Sequence, residues 1–285
     1  MMIFWILLLI YVGVVFTAIS MYTVAWYDYV NFRCKADDPA WRRKIKAGAM
    51  LSAVFLESLA MLFHLLTRPL RLIFDRRQTE YKPDGGAPIL LIHGFASSSH
   101  AFLLISRFLK RKGFKNIYTM TYRPVMADMP TLAQKVAGRI DEVLEQSGAD
   151  KVVLIAHSMG GPLTRYAIKN LDMMEKVRQV ITLGGAHMGT RTASLMPRGR
   201  NTLELTYRSD FLKALAEGGL TPGNSIGYVS IYSVFDQYII PQDAADLGPG
   251  ASNQRLQWHG HVRLLYSRKV NRMIERALLA ESSGQ

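Results

Sequence analysis

The chain has 285 residues, 49% of them hydrophobic, and a formal net charge of +13. This length accommodates one α/β domain with an appendage. The basic residues are spread along the chain and are not interleaved with stacking aromatic residues, which argues against a nucleic-acid partner. The single cysteine, Cys34, excludes an intrachain disulfide and leaves the redox compartment undecided.

The first predicted element is an apolar segment at the N-terminus. Residues 3–26 contain no charged side chain, and about 20 apolar residues suffice to cross a bilayer. Aromatic residues cluster at its C-terminal end, as is typical near lipid headgroups: Tyr22, Trp26, Tyr27 and Tyr29. A cleaved signal peptide is the alternative, but it would have a shorter apolar core that follows a basic segment. We therefore expect an uncleaved membrane anchor.

A second apolar helix is predicted over residues 47–66, after a basic linker. Its polar side chains share one stripe of a helical projection: Lys46, Glu57, His64 and Arg68. The helix either crosses the membrane against the first helix, lies in the membrane interface, or packs on the following domain. Glu57 at mid-helix argues against simple spanning, and the wide apolar face favours an interfacial helix. The side of the membrane that holds the remaining chain stays open.

A boundary rich in proline and glycine separates an N-terminal region, residues 1–84, from a domain of residues 85–285. Beyond the boundary, short apolar strands alternate with amphipathic helices. The predicted strands are 89–92, 116–121, 151–156, 178–184, 228–234 and 255–258, and the predicted helices are about 99–112, 131–147, 160–171 and 265–280. This alternation predicts an α/β fold in which a mostly parallel sheet of about six strands is flanked by helices.

The segment Ala156-His157-Ser158-Met159-Gly160 has the spacing of a nucleophile elbow. Small residues on both sides of the serine allow a sharp strand-to-helix turn that exposes its hydroxyl. The N–H groups at the start of the following helix point toward the site, where an oxyanion can develop. Upstream, the apolar run 89–92 ends in His-Gly, and the turn after such a strand supplies a second oxyanion donor.

Together these features resemble the α/β-hydrolase fold, and in particular the small bacterial lipases of the Bacillus lipase A type. Three segments carry the resemblance: 156–171 (AHSMGGPLTRYAIKNL), 180–186 (VITLGGA) and 260–270 (GHVRLLYSRKV). The resemblance covers about residues 87–280 and does not extend to residues 1–80.

The resemblance implies a serine hydrolase in which Ser158 is followed along the chain by an acid and a histidine. His261 stands at the position of the family's base, in a Gly-His turn before the last helix. His259 is an alternative base, whereas His187 resembles a residue that shapes a loop near the site.

The acid is predicted to be Asp236, which directly follows the predicted strand 228–234 and matches the family position. Asp243 and Asp246 are alternatives, for which turn or capping roles are expected. The oxyanion donors are expected to be the backbone N–H groups of Met159 and, by the family's register, Phe95, with Ala96 as the alternative to Phe95.

We therefore predict a membrane-anchored serine hydrolase that cleaves carboxylic esters through an acyl-enzyme, with a lipid or other acyl ester as substrate and membrane lipids as partners. The alternatives are acyl transfer or deacylation of a lipid-linked molecule, and a non-catalytic membrane-binding module. No metal or cofactor is expected. The long connection over about 187–227 is predicted to form a lid-like insertion. The expected location is a bacterial inner membrane, and the oligomeric state is left open.

Overall fold

The computed structural model describes residues 1–28, 31, 47–76, 81–82, 86–222 and 225–283. Most of the predicted basic linker lies outside the described residues, and so do Tyr29, Cys34 and Lys46. The domain that follows the boundary is described almost continuously, so the geometry of the predicted site can be followed in full.

Six parallel strands form one sheet in the order β2-β1-β3-β4-β5-β6. Their bounds are Ile89–Ile92 (β1), Ile117–Thr119 (β2), Val152–His157 (β3), Val177–Leu183 (β4), Gly227–Ser233 (β5) and Ser252–Leu256 (β6). Every residue of β1 and β3 is buried, because helices cover both faces of the sheet. The predicted fold class, a mostly parallel sheet of about six strands flanked by helices, is confirmed.

Nine α-helices lie within the described residues. Their bounds are Met2–Asp28 (α1), Ala47–Thr67 (α2), Arg71–Arg76 (α3), Leu103–Arg111 (α4), Met129–Ser147 (α5), Gly160–Asn170 (α6), Arg200–Glu204 (α7), Asp210–Ala216 (α8) and Arg268–Ser283 (α9). Helices α5 and α6 contribute to the apolar core on one face of the sheet, and α4 and α9 contribute to the core on the other. This two-sided packing leaves the carboxyl ends of the strands as the place for a site.

Helix α5 shows how local sequence sets the boundaries of an element. The side chain of Asp128 accepts a hydrogen bond from the N–H of Thr131 at 2.8 Å, which caps the first turn. Gly148 ends the helix in the left-handed conformation, with φ of 62°. The amphipathic stretch between these two residues buries its apolar face against the sheet.

The N-terminal helices pack on each other and on the sheet domain. Small residues of both helices are buried: Ala18 and Ala25 of α1, and Ala53 and Ala60 of α2. Three acidic side chains connect α1, α2 and the short helix α3 to the domain. Asp28 of α1 pairs with Arg191, Glu57 of α2 binds the loop around residue 262, and Asp75 of α3 accepts hydrogen bonds from the hydroxyls of Ser99 and Thr121.

The outer faces of α1 and α2 are apolar and exposed. Two segments, Phe4–Asp28 and Gly48–Ile73, are long and apolar enough to cross a membrane. Large exposed side chains on α1 include Phe4, Trp5, Leu9, Phe16 and Ile19, and those on α2 include Leu51, Phe55, Leu59 and Leu66. Contiguous exposed apolar surface of this kind is typical of a protein or membrane contact.

Candidate active site

Ser158 occupies a sharp turn between β3 and α6. Its φ is +55°, a left-handed conformation that is rare for residues other than glycine, and such strain is typical of a nucleophile elbow. The N–H of Ser158 donates to the carbonyl oxygen of Leu183 on β4 at 3.0 Å, which ties the turn to the sheet. The structure thus presents the serine at the carboxyl end of the central strands.

Two glycines allow the elbow to approach β1. A Cβ atom on Gly94 would lie 2.7 Å from the Cβ of Ser158, and one on Gly160 would lie 2.7 Å from the carbonyl oxygen of Ile92. Both distances are below van der Waals contact, so these positions accept no larger residue without displacement of the turn. Contact with the neighbouring strand β1 therefore explains why the elbow pattern requires a small residue, here Gly160, after the serine.

The predicted oxyanion donors flank the serine. Met159 is the residue before the first turn of α6, and Phe95 lies in the turn after β1. Among the residues that the structure describes, neither N–H donates a hydrogen bond. Ala96, the alternative to Phe95, adopts φ of +51° in the same turn. Both N–H groups are therefore available to a bound oxyanion.

His261 and Asp236 form a buried hydrogen-bonded pair. Nδ1 of His261 lies 2.7 Å from Oδ2 of Asp236. The other carboxylate oxygen, Oδ1, accepts the N–H groups of Tyr238 and Ile239, both at 2.8 Å. Because Asp236 accepts from Nδ1, the neutral imidazole has Nε2 as its acceptor nitrogen. This is the tautomer that a general base requires.

The environment tunes the basicity of His261. Burial by itself would lower the pKa of His261, but the charge of Asp236 and its hydrogen bond outweigh burial and raise that pKa above its ordinary value. The ring of His157 lies 4.5 Å from the ring of His261. Complete burial and the charge of His261 hold the pKa of His157 well below its usual range. His157 is therefore neutral and does not repel a protonated His261.

The remaining histidine and aspartate candidates have other partners. His259 contacts the carbonyl oxygen of Gln257 and the hydroxyl of Ser267. His187 is fully buried below the elbow, where its Nε2 lies 3.1 Å from Thr182 Oγ1. Asp246 accepts from the hydroxyl of Tyr232 and from a backbone N–H, and Asp243 is an exposed residue in the first turn of a short 3-10 helix. These hydrogen-bond partners of His259, His187 and Asp246 all lie outside the Asp236–His261 pair.

One cavity of about 420 Å³ adjoins His261 and the serine. Ser158, His157, Phe95 and His261 line it. The long insertion contributes Leu195, Met196, Pro197 and Leu205, and the N-terminal helices contribute Thr17, Met21, Met61 and His64. Nothing in the described part of the chain groups three or more potential metal ligands. The cavity combines the predicted nucleophile with a mostly apolar wall, which suits an acyl chain.

Sequence reasoning missed two residues beside the predicted triad. Gln237 accepts the N–H of His261 at 3.0 Å, and its amide donates to Glu57 at 2.7 Å. The signal for Glu57 was visible as the single acidic residue in an apolar helix. No sequence signal connects that helix to the histidine loop, because the residues are about two hundred positions apart.

A family model described as palmitoyl protein thioesterase matches residues 88–233, just over half of the chain. The chain belongs to the palmitoyl protein thioesterase family. This membership places it among the ester hydrolases of the α/β-hydrolase fold. The matched region contains Phe95, Ser158 and Met159 but ends before Asp236 and His261, so the roles of those two residues rest on the geometry of this family member.

Solved structures agree with the fold of this thioesterase-family chain. Bacillus licheniformis lipase BlEst2 in its mature form is 19% identical, with a TM-score of 0.60, and the match covers 73% of this chain and 96% of that chain. Aspergillus fumigatus lipase B is also 19% identical with a TM-score of 0.60, over 68% of this chain and 53% of that chain. The chain thus spans about half the length of the Aspergillus lipase. The predicted resemblance to α/β-hydrolase lipases is confirmed.

Proposed function

We propose that the protein is a membrane-anchored serine hydrolase that cleaves the ester bond of long acyl chains, with Ser158, Asp236 and His261 as its triad. One observation carries the proposal. Ser158 and His261 line the same apolar cavity, Asp236 binds Nδ1 of His261, and part of the cavity wall comes from the two apolar N-terminal helices. Such an enzyme takes its acyl substrate directly from the lipid in which that substrate is dissolved.

The proposed reaction proceeds by acyl transfer to the serine. Nε2 of His261 accepts the proton of Ser158 as the hydroxyl oxygen attacks the carbonyl carbon of the ester. The N–H groups of Phe95 and Met159 stabilise the oxyanion. His261 then returns the proton to the leaving oxygen, and the acyl-enzyme forms. Water, deprotonated by His261, attacks the acyl-enzyme and releases the fatty acid and the serine.

Exposed apolar side chains support the membrane anchor. The first half of α1 carries large exposed side chains, and the outward face of α2 does the same. Glu57 and the half-buried His64 face the domain, so α2 directs these two polar side chains to protein and large apolar side chains outward. We propose that α1 inserts into the bilayer, that α2 lies in the interface, and that residues 85–285 form the catalytic domain with residues 187–227 as a cover over the cavity.

The proposal that the cavity holds the acyl chain can be tested by narrowing the cavity on the side formed by α2. Met61→Trp adds an indole to the side of α2 that lines the cavity. For the full-length protein in detergent micelles, we expect the ratio of kcat/KM for p-nitrophenyl palmitate to that for p-nitrophenyl butanoate to fall about 10-fold, because two or more methylenes lose their contacts at about 0.8 kcal/mol each.

Leu59→Trp is the matched control for that measurement, because it places the same indole on the exposed outer face of α2. Its palmitate-to-butanoate ratio should equal that of the parent. An unchanged ratio in Met61→Trp, or an equal fall in both variants, would place the acyl chain elsewhere.

A second candidate substrate is an acyl thioester, and the family match favours it. The same triad attacks a thioester, and His261 then returns its proton to a thiolate. We expect an S-palmitoyl peptide in detergent micelles to be cleaved at a rate that depends on Ser158, and its kcat/KM can be compared with that of a palmitoyl oxygen ester on the same peptide. A preference of about 10-fold or more for either bond assigns the physiological class.

A further inference from the structure

Glu57 is a fully buried carboxylate in the middle of the otherwise apolar helix α2. Burial of a carboxylate is costly unless hydrogen bonds satisfy its oxygens. Membrane insertion of an apolar helix does not require a buried carboxylate, and the proposed reaction assigns Glu57 no role. The hydrogen-bond partners of Glu57 indicate what it does.

Both oxygens of Glu57 hold the loop that carries His261. Oε1 accepts from the N–H of Val262 at 2.9 Å and from the side-chain amide of Gln237 at 2.7 Å, and Oε2 accepts from the N–H of Arg263 at 2.9 Å. Oε1 of the same Gln237 amide accepts the N–H of His261 at 3.0 Å. Glu57 therefore binds the two residues after the histidine and, through Gln237, the histidine backbone itself.

The histidine loop is shaped to receive this carboxylate. A Cβ atom on Gly260 would collide with the carboxyl group of Glu57. Gln237 directly follows Asp236, so the same carboxylate is connected to both the acid and the base of the proposed triad. Outside these contacts, the histidine loop is not part of a strand whose ladder would hold it.

We propose that Glu57 is a positioning residue that holds the loop of His261 and the turn of Asp236 in reactive register, so that docking of α2 completes the active site. The inference rests on the proposed function. Glu57 acts through His261 and does not contact the reacting atoms. A displacement of about 1 Å in a base costs on the order of 100-fold in rate, which makes the position of this loop a sensitive control point.

The test compares full-length variants in detergent with p-nitrophenyl butanoate, whose short chain does not depend on the acyl wall. Glu57→Ala leaves three donors without an acceptor, and we expect kcat to fall about 100-fold while KM changes less than about threefold. Glu57→Gln keeps one acceptor oxygen, so its kcat should lie between the kcat of Glu57→Ala and that of the parent. Active sites are counted by fluorophosphonate titration, so that loss of folded protein does not lower the measured kcat.

Asp75→Ala is the matched control. It removes the acceptor of the Ser99 and Thr121 hydroxyls, another acidic contact between the N-terminal helices and the domain, without touching the histidine loop. We expect its kcat to remain within about twofold of the parent. Equal losses in Glu57→Ala and Asp75→Ala, or a parent-like kcat in Glu57→Ala, would overturn the positioning role.

A charge exchange keeps the proposal testable if Glu57→Ala does not fold. Gln237→Glu places two carboxylates against each other and should lower kcat strongly. In the double variant Glu57→Gln with Gln237→Glu, the amide at position 57 donates to the carboxylate at position 237, and its oxygen still accepts the N–H of Arg263. The N–H of Val262 loses its acceptor, so we expect a partial recovery of about 10-fold. Failure of the double variant to recover activity overturns the proposal. A parent that fluorophosphonate does not label would instead overturn the proposed function, independently of Glu57.

Discussion

Ser158→Ala should abolish covalent labelling by a fluorophosphonate probe and lower kcat by on the order of 10⁴- to 10⁶-fold, which is the range for loss of a triad serine. The reason is that the elbow presents the Ser158 hydroxyl to the cavity that His261 also lines, and alanine removes this hydroxyl. His261→Ala should have an effect of similar size, because a serine hydroxyl is a weak nucleophile without its base. The measurement is gel fluorescence of the detergent-solubilised full-length protein.

His259→Gln is the matched control for the base. His259 stands two residues before His261 but contacts Gln257 and Ser267 instead of Asp236. Labelling of this variant should match that of the parent. If His261→Ala is still labelled at the parental rate while folded, or if His259→Gln is not labelled, the assignment of the base is wrong.

Asp236→Asn should lower kcat by on the order of 10⁴-fold, as loss of the orienting carboxylate does in serine hydrolases. It should also move the acidic limb of the pH–rate profile. Asp236 raises the pKa of His261 against the opposing effect of burial. The base acts only when neutral, so activity of the parent should decline as the pH falls through this raised pKa. Without the carboxylate, burial dominates and the limb should shift to lower pH.

Asp246→Asn is the control for that shift, because Asp246 accepts from the hydroxyl of Tyr232 and does not contact His261. Its profile should overlay that of the parent. An acidic limb that stays in place in Asp236→Asn would show that a group other than His261 titrates in the profile. The measurement is kcat/KM for a soluble short-chain ester between about pH 4 and 9 in each full-length variant.

The alternation of strands and helices was predictable because parallel strands buried on both faces are short continuous apolar runs. β1 and β3 are examples, and their predicted bounds lie within one residue of those observed. The sixth strand was harder. β6, Ser252–Leu256, begins earlier than the predicted 255–258, because an edge strand has an exposed side and only Leu256 in it is buried.

Those parts of the candidate site that depend on neighbouring residues in the chain could be predicted from the sequence. The elbow requires small residues at fixed spacing around Ser158, since Gly160 lies against the backbone of β1. Asp236 could be predicted from the sequence because it directly follows the end of a strand. Contacts between residues that are far apart in the chain leave no comparable pattern in the sequence. Gln237 and Glu57 come within 2.7 Å of each other across 180 positions, and no local pattern encodes that distance.

The N-terminal helices show the same division. Their length and hydropathy are properties of local composition, so the sequence alone predicts two apolar helices and the polar stripe on the second. Only the tertiary structure decides that Glu57 of this stripe contacts the histidine loop and that Thr17, Met21, Met61 and His64 complete the cavity beside Ser158. The physical reason is that periodicity defines which face of a helix is polar, whereas the partner of that face depends on where the rest of the chain folds.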